Sequence, residues 1–152
     1  MSQDHFMSGK IPPDFPERSA LLNILKKKSR YPLAAYLFVS AGVQYTVKAC
    51  ERAGKKGLER HVTGAELLRG ILQFAVVRFG FLAPDVFRDW NFERGRDIGN
   101  VVYAMIGAGI LAASPNDRIE DFDISDDLPG GLDSILKKMD PPEKEERNEN
   151  DE

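Results

Sequence analysis

Thr63-Gly64-Ala65-Glu66-Leu67-Leu68-Arg69-Gly70-Ile71-Leu72-Gln73-Phe74-Ala75-Val76-Val77-Arg78-Phe79-Gly80 is the stretch from which the fold is read. Its first four residues match a capping box. The Thr63 hydroxyl suits one orphan amide of a helix start, and the Glu66 carboxylate reaches back for another. Behind it Leu68, Ile71, Leu72, Ala75 and Phe79 recur at helical spacing, and Gly80 supplies the stop. Thr63 and Glu66 are therefore a structural motif, not a chemical one.

Downstream, Ala83-Pro84-Asp85 opens a shorter helix that turns Val86, Phe87 and Trp90 inward. Arg94-Gly95-Arg96-Asp97 reads as a turn into another helix, with Ile98, Val101, Val102, Met105 and Ile106 as its apolar stripe and Gly107 and Gly109 at its end. Ile110–Ala113 then reads as a strand, Ser114-Pro115-Asn116-Asp117 as a turn, and Arg118–Ile124 as the returning strand of a hairpin.

Upstream, residues 1–17 hold three prolines and no periodicity, as expected of a flexible arm. Ser19 is placed to cap a helix faced by Leu21, Leu22 and Leu25, which closes on Lys26-Lys27-Lys28-Ser29-Arg30, where cations suit the negative end of the helix dipole. Tyr31-Pro32 starts a second helix, since proline fits a first turn. Ala34, Phe38, Ala41 and Tyr45 share one face and Val39, Val43 and Val47 another, so this helix should lie at the centre of the fold. Gly54 ends it, Lys55-Lys56-Gly57 forms a basic loop, and Leu58–Val62 reads as a short strand.

The expected fold is thus mainly α with a small β-hairpin, in a winged-helix-like element order with added helices. Three segments are expected: an arm over 1–17, a helical domain with a C-terminal hairpin over 18–128, and an acidic, mostly disordered tail over 129–152. Pro129-Gly130-Gly131 marks the break, Leu132, Ile135, Leu136 and Met139 suit a turn or two of amphipathic helix, and residues 141–152 carry no hydrophobic side chain.

Composition narrows the class. With 152 residues, 42% hydrophobic and 30% charged, the chain suits one soluble domain with a true core. Cys50 is the single cysteine, so no internal disulfide forms, and it reads as a buried inert thiol in a reducing compartment. The N-terminal residues lack the apolar region of a secretory signal. Tyr31–Ala49 has 13 apolar residues among 19, but Ser40, Gln44, Thr46 and Lys48 interrupt it, and it reads as a core helix rather than a membrane span. A cytoplasmic protein without a membrane partner is expected.

Signatures of chemistry are weak. His5 and His61 are the two histidines, and the one pairing of note is His61 with Glu66, whose carboxylate the capping box already engages. Metal-ligand spacings of His and Cys are absent, and the acidic run Asp121–Asp127 lacks the glycine and closing glutamate of a calcium loop. Gly107-Ala108-Gly109 lies at a helix end rather than a start, the wrong pole for phosphate. No cofactor is expected, and no catalytic residue is assigned.

Charge is uneven. Residues 1–113 carry 16 Lys/Arg against 10 Asp/Glu, and residues 114–152 carry 5 against 14, within a net charge of −3. Candidate nucleic-acid contacts are Lys26, Lys27, Lys28, Arg30, Lys55, Lys56, Arg60, Arg94 and Arg96, with Lys48 and Arg52 between them. After its first turn the Asp97–Ala108 helix has only Asn100 as a main candidate for reading a base edge, which argues against sequence-specific readout.

Leu21–Ile124 also resembles a bacterial protein family of unknown function, known chiefly from planctomycetes and verrucomicrobia. The resemblance rests on Arg30-Tyr31-Pro32, Ala35-Tyr36, Phe38-Val39, Arg60-His61-Val62-Thr63-Gly64 with Glu66-Leu67-Leu68, Phe79-Gly80, Trp90, Asp97-Ile98-Gly99, Val101-Val102-Tyr103, Ala108-Gly109-Ile110-Leu111 and Asp121-Phe122. It implies no activity and no catalytic residue. Asp89 and Asn91 flank Trp90 where the family pattern has histidine and glycine. The expected function is a non-enzymatic module that binds another protein. The alternative is a winged-helix-like nucleic-acid-binding domain whose acidic tail competes for its basic face.

Overall fold

The computed structural model describes residues 18–26, 29–52, 54, 62–113 and 116–139. Among the described residues the α-helices run in order: α1 (Arg18–Lys26), α2 (Leu33–Arg52), α3 (Gly64–Phe79), α4 (Ala83–Asp89), α5 (Gly95–Gly107) and α6 (Leu128–Lys138). The 3₁₀ turns Gly80–Leu82 and Ile119–Phe122 lie between α3 and α4 and between α5 and α6.

Pro32 sits just ahead of α2, and its carbonyl accepts the Ala35 N–H at 3.0 Å. Residues 35–40 of α2 are buried without a break, because α3 covers one side of the helix and α5 another. α3 lies antiparallel on α2: Phe38, near the start of α2, stacks on Phe74, near the end of α3. The two backbones come close at Gly70, where a Cβ would lie 2.0 Å from the Thr46 hydroxyl oxygen. That hydroxyl is itself buried and donates to the Gly42 carbonyl at 2.8 Å, so the close crossing leaves no polar group unsatisfied.

At the C-terminal end of α3 an aromatic cluster forms part of the core. Phe38 meets Phe74 at 5.1 Å, Trp90 at 5.3 Å and Phe79 at 5.4 Å between ring centroids, and Phe87 meets Phe92 edge-on at 5.3 Å. Tilted and edge-to-face pairs add about 0.5–1.5 kcal/mol each beyond their buried area. Pro84 occupies the first turn of α4, and Asn91, in the left-handed region at φ 65°, turns the chain out of it. The Asn91 side-chain amide donates to the Arg30 carbonyl at 2.9 Å, tying this turn to the start of α2.

The hairpin expected over Ile110–Ile124 does not form, and no residue among those described lies in a strand. Its first half closes α5 instead. Gly109, at φ 81°, donates to the Ile106 carbonyl at 3.0 Å, and Ile110 N–H donates to the Met105 carbonyl at 2.8 Å. This is a Schellman closure, which uses the amide a strand would have offered to its neighbour and needs a residue at ease with positive φ.

The second half of the expected hairpin folds on itself. The Asp121 carboxylate accepts the Arg118 N–H at 3.1 Å, and Asp123 N–H donates to the Glu120 carbonyl at 2.9 Å. Aspartates that bond their own backbone compete with pairing across strands. Phe122 is then driven into the core at 2% exposure, against Gly99 of α5. Without this hairpin the winged-helix-like order fails too. The strand expected over Leu58–Val62 lies outside the described residues except for Val62, which is not in a strand.

The packed body also runs past the division expected at residue 128. Asp127 caps α6 by accepting the Gly130 N–H at 3.0 Å, and Leu128, Leu132 and Leu136 are buried on a helix that packs on α4. Spacing of four residues puts the three leucines on one face. The expected arm over 1–17 and the end of the expected tail, 140–152, lie outside the described residues. One helical run among those described, Gly64–Asp89, is long and apolar enough by length and composition to cross a membrane. The Gly80–Leu82 turn interrupts that run.

Candidate functional site

The N-terminal end of α3 is set by Thr63 and Glu66. The Thr63 hydroxyl accepts the Glu66 N–H at 3.1 Å, and the Thr63 N–H donates to the Glu66 carboxylate at 3.0 Å. Such caps contribute about 1 kcal/mol. They hold the end of the helix in place beside a cavity of about 190 Å³ bounded by α2, α3, α5 and the Ile119–Phe122 turn. Val43, Val47, Leu67, Val102, Ile106 and Phe122 give it apolar walls. Tyr103, Asp117, Arg118 and Asp121 supply its polar groups. Burial first, then the carboxylates of Asp117, Asp121 and Glu120, hold the Tyr103 phenol above its ordinary pKa.

The opposite end of α3 presents an apolar shelf. Val77 is 67% exposed, Phe81 74% and Leu82 64%. In the same stretch of chain Phe74, Phe79 and Phe87 belong to the aromatic cluster. Scattered single apolar residues on a surface are ordinary, and these three fall within six positions of chain.

The candidate nucleic-acid contacts are dispersed by comparison. Arg30 lies 3.7 Å from Glu93. Arg96 grips Asp123 through two nitrogens, one of them Nε at 2.8 Å, and this pairing raises the Arg96 pKa and lowers that of Asp123. The Arg94 side chain is exposed, while its backbone N–H donates to Asp97 at 2.9 Å. Lys26 is described only as helical backbone, and Lys27, Lys28, Lys55, Lys56 and Arg60 lie outside the described residues, as do His5 and His61.

One buried polar centre escaped the reading of the sequence. Asp97 is 7% exposed, and its carboxylate accepts the N–H groups of Glu93 and Arg94, both at 2.9 Å, and the Tyr31 hydroxyl at 2.6 Å. The Asn100 amide donates in turn to the Tyr31 oxygen at 3.0 Å, so the residue considered for base reading, although exposed, has its amide engaged by Tyr31. Burial of Tyr31, together with Asp97 and against the Asn100 bond, pushes its pKa up to about 12. The usable signal was Asp97 at the third position of α5, where a carboxylate meets unpaired amides. Its partner Tyr31 is too distant in sequence to be read.

Among the described residues no group of three or more His, Cys, Asp or Glu side chains is placed to hold a metal ion, and Cys50 is a half-buried free thiol. No family model, no curated protein and no solved structure matches this chain.

Proposed function

We propose that this chain is a non-enzymatic interaction module of the cytoplasm that binds a protein partner through the shelf of Val77, Phe81 and Leu82. The observation that carries the reading is the exposure of these three side chains in the stretch of chain that follows the aromatic residues of α3. A binding residue held by a stiff scaffold loses little conformational freedom on association, so burying it on a partner yields more of its transfer free energy. Phenylalanine and leucine in such a patch suit an apolar partner surface, and aromatic anchors dominate the energetics of many interfaces.

The nucleic-acid alternative draws support from the basic excess of residues 1–113. It is the weaker reading, because Arg30 and Arg96 face carboxylates and the Asn100 amide is engaged by Tyr31.

Affinity capture from the source cell with the full chain and a Phe81→Asp variant tests the proposal. A protein retained by the native chain and lost with the variant, at unchanged circular dichroism and melting temperature, is the expected result. It should then bind the purified chain saturably. An unchanged set of partners, recovery of nucleic acid alone, or Phe81-dependent binding to lipid vesicles instead of protein would overturn it.

A further inference from the structure

We propose that Ser29 is a phosphorylation site for a serine kinase that reads basic sequence, and that the phosphate releases α1 from the body of the protein. The inference does not depend on the role of Val77, Phe81 and Leu82.

Recognition comes from the sequence. Ser29 follows Lys26-Lys27-Lys28 and precedes Arg30, so four of these five residues are cations. A kinase whose substrate groove is lined with carboxylates selects a hydroxyl in such a setting by charge. Residues 29–32 belong to neither α1 nor α2, and a segment outside helices can take the extended form in which a kinase holds its substrate. In the transfer, Ser29 Oγ forms a bond to the terminal phosphorus of ATP while the bond from that phosphorus to its bridging oxygen breaks. ADP leaves with the electron pair, and the hydroxyl proton passes to a carboxylate of the kinase.

The consequence comes from the packing. The Ser29 hydroxyl lies 2.6 Å from that of Tyr36, which is 3% exposed, and accepts the Tyr31 N–H at 3.0 Å. Ser29 lines a cleft of about 470 Å³ together with Asn23 and Ile24 of α1 and with Ala104 and Ala108 at the end of α5. A space of about 150 Å³ takes a benzene-sized guest, so the cleft admits a phosphoryl group. That group carries about two negative charges, and in the cleft it stands beside the C-terminal ends of α1 and α5, both negative poles. The side chains of Ile24, Ala104 and Ala108 offer it no hydrogen bond, so leaving the cleft for water lowers its free energy. α1 is the wall that yields. Among its described side chains Ile24 packs on the core, whereas Leu22 and Asn23 are exposed. On the other side of Ser29 the chain is fastened, through the Arg30 carbonyl to Asn91 and the Tyr31 hydroxyl to Asp97.

Phosphopeptide mapping of the full chain, recovered from its source cell with phosphatases inhibited, should find phosphate on Ser29. With ATP and magnesium, a purified kinase directed to lysine and arginine should modify Ser29 of the full chain about tenfold faster than an acid-directed one. Hydrogen–deuterium exchange of the modified chain should then quicken by about tenfold over Arg18–Lys26, with little change over Gly95–Gly107. Treatment with a phosphatase should reverse the change. Ser29→Ala, which loses the hydroxyl's bonds without gaining charge, should quicken exchange over α1 by less and take up no phosphate at this position. Three results would each overturn the proposal: a chain from the cell without phosphate on Ser29, an acid-directed kinase as fast as the basic-directed one, or a phosphorylated chain whose α1 exchanges no faster than that of the unmodified chain or of Ser29→Ala.

Discussion

The two ends of α3 are built on different side chains and reach different packing. Toward the C-terminus Phe74 and Phe79 meet Phe38, Phe87 and Trp90 in a cluster of rings, and Ala75 has no exposed surface. Toward the N-terminus Leu67 faces Val43, Val47, Val102 and Ile106 across open space. The helix is about 24 Å long at a rise of about 1.5 Å per residue. One short element therefore joins a filled region to a hollow one. Flat rings fill space by tilting against one another, while β-branched side chains with few rotamers cannot swing in to close a gap. The filled end carries its apolar residues outward as a shelf, and the hollow end keeps them inward around a cavity.

The largest expected effect lies at the filled end. Phe87 is wholly buried between Phe38, Trp90 and Phe92, and Phe87→Ala should cost about 3–5 kcal/mol in chemical denaturation. A loss under about 1 kcal/mol would mean that the cluster is not close-packed.

Adding volume separates the two ends more sharply. Ala75→Val should destabilise by about 1–3 kcal/mol, because the added methyls have no space. Val47→Ile, beside the cavity, should leave stability unchanged or raise it by up to about 1 kcal/mol. Equal losses from the two substitutions would erase the distinction between the ends.

The polar centre at the start of α5 gives a pH signature. Tyr31 has a folded pKa of about 12 against an ordinary value of 10.0. The folded state therefore holds this proton more firmly, and the stabilisation is complete below pH 10 and lost as pH rises through about 12. Tyr31→Phe should cost about 1–3 kcal/mol at neutral pH, since Asp97 loses a buried donor. It should also flatten the alkaline fall in stability, although Tyr36 and Tyr103, both raised by burial, leave a residue of it. An alkaline slope equal to that of the native chain would remove Tyr31 from its cause.

Local signals accounted for what could be read in advance. Proline before α2, the capping box of α3, the stripe of α5 and its glycine stop all act within a few residues, and the helices occur where those signals place them. The hairpin misled because Arg118–Ile124 alternates imperfectly, and the Asp121 side chain makes a local bond that periodicity ignores, while that of Asp123 pairs with the distant Arg96. α6 was legible as a turn or two from its leucines, but its burial on α4 depends on a contact distant in sequence. Tyr31 and Asp97 are likewise joined only by folding. The cavity left no sequence signal, because a valine lining a space and a valine filling one read alike. The shelf left none either, because Val77, Phe81 and Leu82 are ordinary apolar residues in sequence and only their exposure separates them from core.

Hydrogen–deuterium exchange on the purified complex with the captured partner tests the central claim most directly. New protection should appear over Val77–Leu82, the outward end of α3, with little change at Gly64–Leu67. Protection confined to the basic segments around Arg30 and Arg94, with Val77–Leu82 exchanging as in the free protein, would contradict the account.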